Sequence, residues 1–142
     1  MALMQIEHGS AQYHKMVQLR YEVLRKPLGL AFSDAELAKE KVDVLIGAFD
    51  DDRILGCCVL TEEAPKVVRL RQMAVSTRSQ GMGIGQAVLR FAETLARDRG
   101  YKTLTMHARD TAQGFYEKYG YAVIGPQFME VSVPHHVMQK SL

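Results

Sequence analysis

The chain has 142 residues, 47% of them hydrophobic and 24% charged, the size and composition of one soluble globular unit with enough apolar surface for a single core. These proportions exclude a disordered, collagen-like or disulfide-stapled chain. The formal net charge of +2 hides a split: residues 1–65 hold 7 Lys/Arg against 11 Asp/Glu, and residues 66–142 hold 11 against 5. That basic excess is too diffuse for a nucleic-acid arm but suits an anionic ligand in the C-terminal part.

In chain order, Met1 to Glu7 has no basic stretch followed by an apolar run, so it does not read as a secretory signal, and the longest apolar stretches fall short of a membrane span. A cytoplasmic protein without membrane attachment is expected. Between Gln12 and Leu24 the residues Tyr13, Met16, Val17, Arg20, Val23 and Leu24 recur at helical spacing, with Ser10 as N-cap and Pro27 as the stop. Ser33-Asp-Ala-Glu36 has the capping-box pattern and opens a short helix to about Lys41. Val42 to Phe49 and Ile54 to Thr61 read as a strand pair joined by a turn at Asp50 to Arg53. Cys57 and Cys58 fall in the second strand and point to opposite faces; neither a bridge nor a zinc site fits that spacing, and no metal is expected. Glu62 to Lys66 is expected to turn, and Val67 to Val75 to form the next strand.

A stretch crowded with glycine, Ser76 to Gly85, leads into the clearest helix, where Ile84, Val88, Phe91 and Leu95 form one apolar stripe and Gly100 supplies the stop after Arg99. Tyr101 to His107 alternates as a strand. Ala112 to Tyr119 is a short amphipathic helix ended by Gly120, and strands follow around Tyr121 to Ile124 and Val137 to Lys140. Strand, glycine loop, helix and strand in succession imply a βαβ crossover. The fold class is therefore α/β or α+β: a mixed, mostly antiparallel sheet of about six or seven strands with helices on both faces.

Arg78-Ser-Gln-Gly81-Met-Gly83-Ile-Gly85 joins a strand to a helix N-terminus, where side-chain-free residues let backbone N–H groups converge on a phosphate. It is not a P-loop, because Ile84-Gly85-Gln86 follows Gly83 where Gly-Lys-Ser/Thr is required. A dinucleotide fingerprint needs a third glycine where Gln86 stands, and normally opens its fold. A tight turn alone accounts for one glycine better than for three in alternation.

Met73-Ala-Val75 followed by Arg78-x-x-Gly81-x-Gly83 resembles the cofactor loop of the GNAT superfamily of acyl-CoA-dependent N-acetyltransferases, and Ala112-x-x-Phe115-Tyr116-Glu-Lys-Tyr-Gly-Tyr121 is similar to that superfamily's tyrosine helix at the expected distance. The two motifs are in register over about 50 residues. Leu24-Arg-Lys-Pro-Leu-Gly29 and Pro134 to Lys140 resemble some members more weakly. The resemblance implies one N-acetyltransferase domain over 1–142, with an acceptor side in 1–65, an acetyl-CoA core in 66–125 and C-terminal strands in 126–142. Its co-substrate would be acetyl-CoA, without a metal, and its partner a small-molecule or peptide amine, with a homodimer by analogy and neither nucleic acid nor membrane involved.

The resemblance also assigns residues. The amides of Gln80, Gly81, Met82, Gly83, Ile84 and Gly85, with Arg78, would hold the pyrophosphate, and the strand at Met73, Ala74 and Val75 would pair with the pantetheine arm. Tyr116 would return a proton to the thiolate as general acid, with Phe115 beside it and His107 in the pocket. Arg109 stands where many members have an asparagine on the pantetheine, and Arg69-Leu-Arg-Gln72 lacks the glutamate that some carry as base. Glu62, Glu63, Glu130, His135 and His136 remain open as bases. Leu19 to Phe32 and Gln127 to His136 are expected to line the acceptor side, and the acidic first part suits a cationic amine. A binding module that keeps an acyl-CoA cleft without turnover is the competing reading.

Overall fold

The computed structural model describes residues 1–142 and builds them around a seven-stranded sheet in the order β1-β2-β3-β4-β5-β7-β6. The strands are β1 (Ala2–Ile6), β2 (Val44–Asp50), β3 (Arg53–Ala64), β4 (Val67–Val75), β5 (Thr103–Arg109), β6 (Ala122–Glu130) and β7 (Val133–Ser141). The helices are α1 (Ala11–Arg20), α2 (Asp34–Ala38), α3 (Ile84–Asp98) and α4 (Gln113–Lys118). Every pairing is antiparallel except β4 with β5, which α3 connects. The expected βαβ crossover in a mixed sheet is therefore present.

Strand alternation sends side chains to two cores. Val68, Leu70, Cys58, Leu104 and Met106 meet the Ile84, Val88, Leu89, Ala92 and Ala96 stripe of α3 on one face. Ile6, Cys57, Val59 and Ala74 meet Tyr13, Met16 and Leu19 of α1 on the other. Cys57 and Cys58 thus face opposite cores, both buried and unbridged, and burial holds both thiols well above the ordinary cysteine range, Cys57 at about 12.

Several boundaries differ from the sequence reading. β1 was not foreseen: five residues with no flanking turn pattern gain strand structure only by pairing with β2. The α1 helix does not stop at Pro27. It passes into a π-helical turn, Tyr21–Arg25, and a single 3₁₀ turn, Lys26–Leu28, in which Pro27 is tolerated because the first turn lacks intrahelical N–H partners. Gly29 then ends it in the left-handed region. Ser33 caps α2 as the motif requires, but the α-helix ends at Ala38 and continues as 3₁₀ turn through Val42, which is 90% exposed and lies outside β2.

Glu62 and Glu63 lie in β3, not in a turn; only Pro65 and Lys66 turn. β6 and β7 form a long hairpin through Val131 and Ser132, both at positive φ. Its length was not legible because β6 is an edge strand with most side chains exposed, so it lacks the apolar alternation that marks a half-buried strand.

Candidate active site

The parallel pair is where the sheet opens. β4 and β5 are in register only from Val67↔Thr103 to Leu70↔Met106. Beyond it β4 carries a bulge: Cys57↔Ala74 and Val59↔Arg71 set three residues of β4 against two of β3, with Gln72 at φ 57°. The extra residue bends β4 away from β5. From Arg71 to Val75 the strand therefore has β3 on one edge and no strand on the other.

A cleft of about 330 Å³ fills this opening, lined by the second half of β4, by Met106 to Arg109 of β5, by Ala112 and Tyr116, by Glu130, Val131 and His135, and by Leu24 and Arg25. Arg109 Nη2 donates to the Leu24 carbonyl at 3.2 Å, which fastens the π-helical turn over the cleft. Of the segments expected on the acceptor side, only Leu24 and Arg25 of 19–32, and Glu130, Val131 and His135 of 127–136, reach it.

Tyr116 is buried at the cleft wall, packed edge-on against Phe115 and Tyr121. Its hydroxyl makes no hydrogen bond to the chain, whereas Tyr121 donates to Glu93 at 2.7 Å and Tyr13 to Glu40 at 2.6 Å. Burial, with Cys58 nearby, raises the Tyr116 phenol above the ordinary tyrosine range, so it stays protonated at neutral pH.

Across the cleft three basic side chains surround Glu130. His107 Nδ1 lies 3.1 Å from Glu130 Oε1, Arg69 Nη2 lies 3.8 Å from the same oxygen, and His135 Nε2 lies 3.6 Å from Oε2. Partial burial works against the Glu130 charge, but the His107 bond and the charges of His107, His135 and Arg69 outweigh it and hold the carboxyl below the usual range. The Nδ1 of His135 is 2.7 Å from the Val133 carbonyl, which can only accept, so Nδ1 carries a proton and Nε2 is the nitrogen turned toward Glu130. Phe128 stacks on the His135 ring and meets His107 edge-on.

The remaining base candidates lie elsewhere. Glu62 accepts from Tyr101 at 2.9 Å beside the closed end of the parallel pair, and neither it nor Glu63 lines the cleft. His136 is held by Asp110 at 2.7 Å on the opposite face of β7 from His135.

The glycine loop follows directly from the open end of β4, beyond Val75, and its residues are outside the cleft lining. None of the backbone N–H groups from Gln80 to Gln86 finds an acceptor in the chain, and α3 has no side-chain N-cap, because its cap position is Gly83 at φ 77°. Gln80, Gly81, Met82 and Gly83 are exposed, Ile84 is buried as their anchor, and Arg78 is exposed without a partner. At Gly85 a side chain would come within 3.3 Å of Phe115 and 3.6 Å of Val75, so this glycine lets α3 close onto both motif segments. Met73 lines the cleft, while the Ala74 side chain is buried in the α1 core and only its backbone faces neighbouring strands.

Sequence reasoning missed Arg69 and Arg71 as cleft residues. The alternation Val68-Arg69-Leu70-Arg71 was the available signal, since it puts both arginines on the face opposite α3.

A sheet split by a bulge, with a free-amide loop beyond the open end of β4 and a tyrosine and a histidine–carboxylate cluster on the cleft walls, is the arrangement of the acyltransferase class that the motifs suggested. The Acetyltransferase (GNAT) domain model matches residues 26–142; the chain belongs to the GNAT acetyltransferase family. An uncharacterized acetyltransferase of Streptococcus pyogenes serotype M3 is 33% identical over 82 residues, 58% of either chain. The matched stretches span from 49% to 58% of the curated relatives' lengths. A structure from Lactobacillus plantarum, described as a candidate N-acetyltransferase, superposes with a TM-score of 0.86 at 26% identity and covers 100% of this chain and 99% of its own. An aminoglycoside 6′-N-acetyltransferase complexed with coenzyme A has the same fold, with a TM-score of 0.84 at 15% identity over 99% of this chain and 97% of that one. No helix is long and apolar enough to cross a membrane.

Proposed function

We propose that the chain transfers an acetyl group from acetyl-CoA to a primary amine by direct attack. The observation that carries this reading is the Tyr116 hydroxyl, left without a partner in the chain at the wall of a cleft whose β4 edge is also unpaired. The residues present fit the co-substrate. The free N–H groups from Gln80 to Gln86 and the N-terminal end of α3 suit a pyrophosphate, with Arg78 adding charge, and the open edge of β4 suits an extended amide-bearing arm.

Bound acetyl-CoA supplies the thioester whose acyl carbon is transferred. His135 Nε2 takes a proton from the acceptor ammonium, and Glu130 stabilises the imidazolium so formed. The neutral nitrogen then forms the new C–N bond, the C–S bond breaks, Tyr116 gives its proton to the departing sulfur, and the second proton shed by the acylated nitrogen returns the Tyr116 phenolate to the phenol. Leu24 and Arg25 close the cleft from above and limit the water that reaches it.

The test is CoA release over a panel of amine classes. Tyr116→Phe is expected to lower kcat about 100-fold, the ordinary worth of a positioned proton donor, with acetyl-CoA affinity unchanged within about twofold. CoA release at background for every amine, with acetyl-CoA still bound, would replace this reading by that of a non-catalytic acyl-CoA-binding module.

A further inference from the structure

The acidic excess of residues 1–65 does not reach the cleft. Glu40 is buried against Arg20, Glu36 pairs with Arg25 and Asp50 with Arg53, and the only acidic residue in the lining is Glu130. Four arginines line it instead: Arg25, Arg69, Arg71 and Arg109. A cationic acceptor, suited to the sequence's charge split, would meet a wall of its own sign.

The arginines differ in what already engages them. Arg25 is tied to Glu36 at 3.1 Å and stacks on Phe32, and Arg109 is spent on the Leu24 carbonyl. Arg69 touches His107 and reaches Glu130 only at 3.8 Å, and its Nε is buried with no acceptor. Arg71 has no hydrogen bond or ion pair at all. Glu40 and Asp43 feel its charge from beyond contact distance, and of these Glu40 is already satisfied by Arg20. Arg69 and Arg71 sit two residues apart on one strand face, roughly 7 Å along it. The cleft is thus dipolar, with an anionic end at Glu130 and an under-partnered cationic end at Arg71.

Resting on the acetyl-transfer reading, we infer that the acceptor is an amine that also carries a carboxylate, its ammonium seated at Glu130 and its carboxylate held by the unpartnered Arg71, with Arg69 beside it on the same strand face. Both ends are planar or point charges that a compact amino acid can bridge, and about 330 Å³ is room for one. Guanidinium suits this because it presents a fixed fork to a carboxylate, which a lysine could not match. The positive charge serves the acceptor and not the phosphates of the co-substrate, because these arginines lie on the α1 face of β4 while the free-amide loop lies outside the cleft lining.

The experiment uses small free amino acids, their carboxamides, and the matching amines lacking the carboxylate. Expected is a kcat/KM for the acids at least tenfold above that for the other two, a ratio that Arg71→Gln collapses by tenfold or more and Arg71→Lys restores in part. A second arm reads binding without turnover: with CoA at saturation, the acids raise the melting temperature of the wild type and not of Arg71→Gln, whereas the amides raise neither. Amides or plain amines used as well as acids would overturn the inference. So would an Arg71→Gln effect equal on all three, or one confined to CoA affinity. If nothing is acetylated, the acetyl-transfer reading fails, while the melting arm still decides whether Arg71 holds a carboxylate.

Discussion

Two arginine–glutamate pairs lie on the same side of the sheet and do opposite work. Arg20 and Glu40 are 0% and 3% exposed and bonded twice, at 2.9 and 2.6 Å, with the Tyr13 hydroxyl completing the carboxylate. Arg69 and Glu130 are 26% and 40% exposed, 3.8 Å apart, and share their remaining capacity with His107 and His135. The first pair is closed. It locks α1 to the turn after α2, and Arg20 also stacks under Phe32, so no group is left to meet a ligand. The second is open. Each arginine keeps one buried Nε without an acceptor, so what sets the second pair apart is its longer contact, its exposure and a carboxylate facing a cleft. Similar chemistry thus becomes scaffold or reactive site according to how completely the chain satisfies it.

The largest effect should come from breaking the closed pair. Glu40→Ala leaves a buried guanidinium uncompensated and is expected to cost about 3–5 kcal/mol by urea denaturation. Replacing both partners by apolar residues, Arg20→Met with Glu40→Leu, should cost far less. Equal losses for the single and double variants would show that shape, and not charge pairing, is what matters there. The pH dependence has a definite sign. Burial raises the Glu40 carboxyl, but the bonds from Arg20 and Tyr13 outweigh it and hold it below the ordinary range. A carboxylate depressed in the folded state stabilises fully above its unfolded value, roughly pH 4.3, and that contribution is lost as pH falls through the lower folded value. Wild-type stability should therefore drop below about pH 4.3 more steeply than that of Glu40→Gln.

Next is His135, the proposed base beside the open pair's carboxylate. His135→Gln keeps a polar side chain on the Val133 carbonyl but cannot take up the acceptor's proton, and kcat/KM is expected to fall about 100-fold. Two readouts separate a catalytic from a structural loss: the melting temperature and the acetyl-CoA affinity of His135→Gln should stay near those of the wild type while turnover falls. Unchanged turnover in the variant would move the proton acceptor to another group.

Most of the fold and half of the site are legible in the sequence, and the division follows the range of the interactions. The glycine loop, the α3 stripe and Tyr116 are local patterns, in which spacing along the chain fixes the geometry. The acceptor face is not local. It joins Leu24 and Arg25, β4, β5 and the β6–β7 hairpin, and it depends on a bulge at Gln72, a non-glycine in the left-handed region that nothing in Arg69 to Val75 announces. Charge counting misleads for the same reason: none of the eleven acids of the first part lines the cleft, three of them being taken up by Arg20, Arg25 and Arg53, and which partner each finds is a tertiary fact.

A third pair sharpens the contrast at its weak end. Arg25 and Glu36 lie 3.1 Å apart, but with side chains 18% and 43% exposed, so water and salt screen their attraction. Glu36 also accepts the Ser33 backbone N–H in the α2 capping box, a role that glutamine can fill. Glu36→Gln should therefore change stability by less than about 0.5 kcal/mol and lose even that difference in high salt. Its consequence belongs to the cleft. Arg25 lines the cleft wall and would be released from its carboxylate, so the neutralised position should favour anionic acceptors slightly more than the wild type does. A stability loss approaching that of Glu40→Ala would mean that burial does not separate scaffold pairs from working ones in this fold. A near-zero loss with a shifted acceptor preference would show that even a surface carboxylate, by restraining one arginine, tunes the charge the cleft presents.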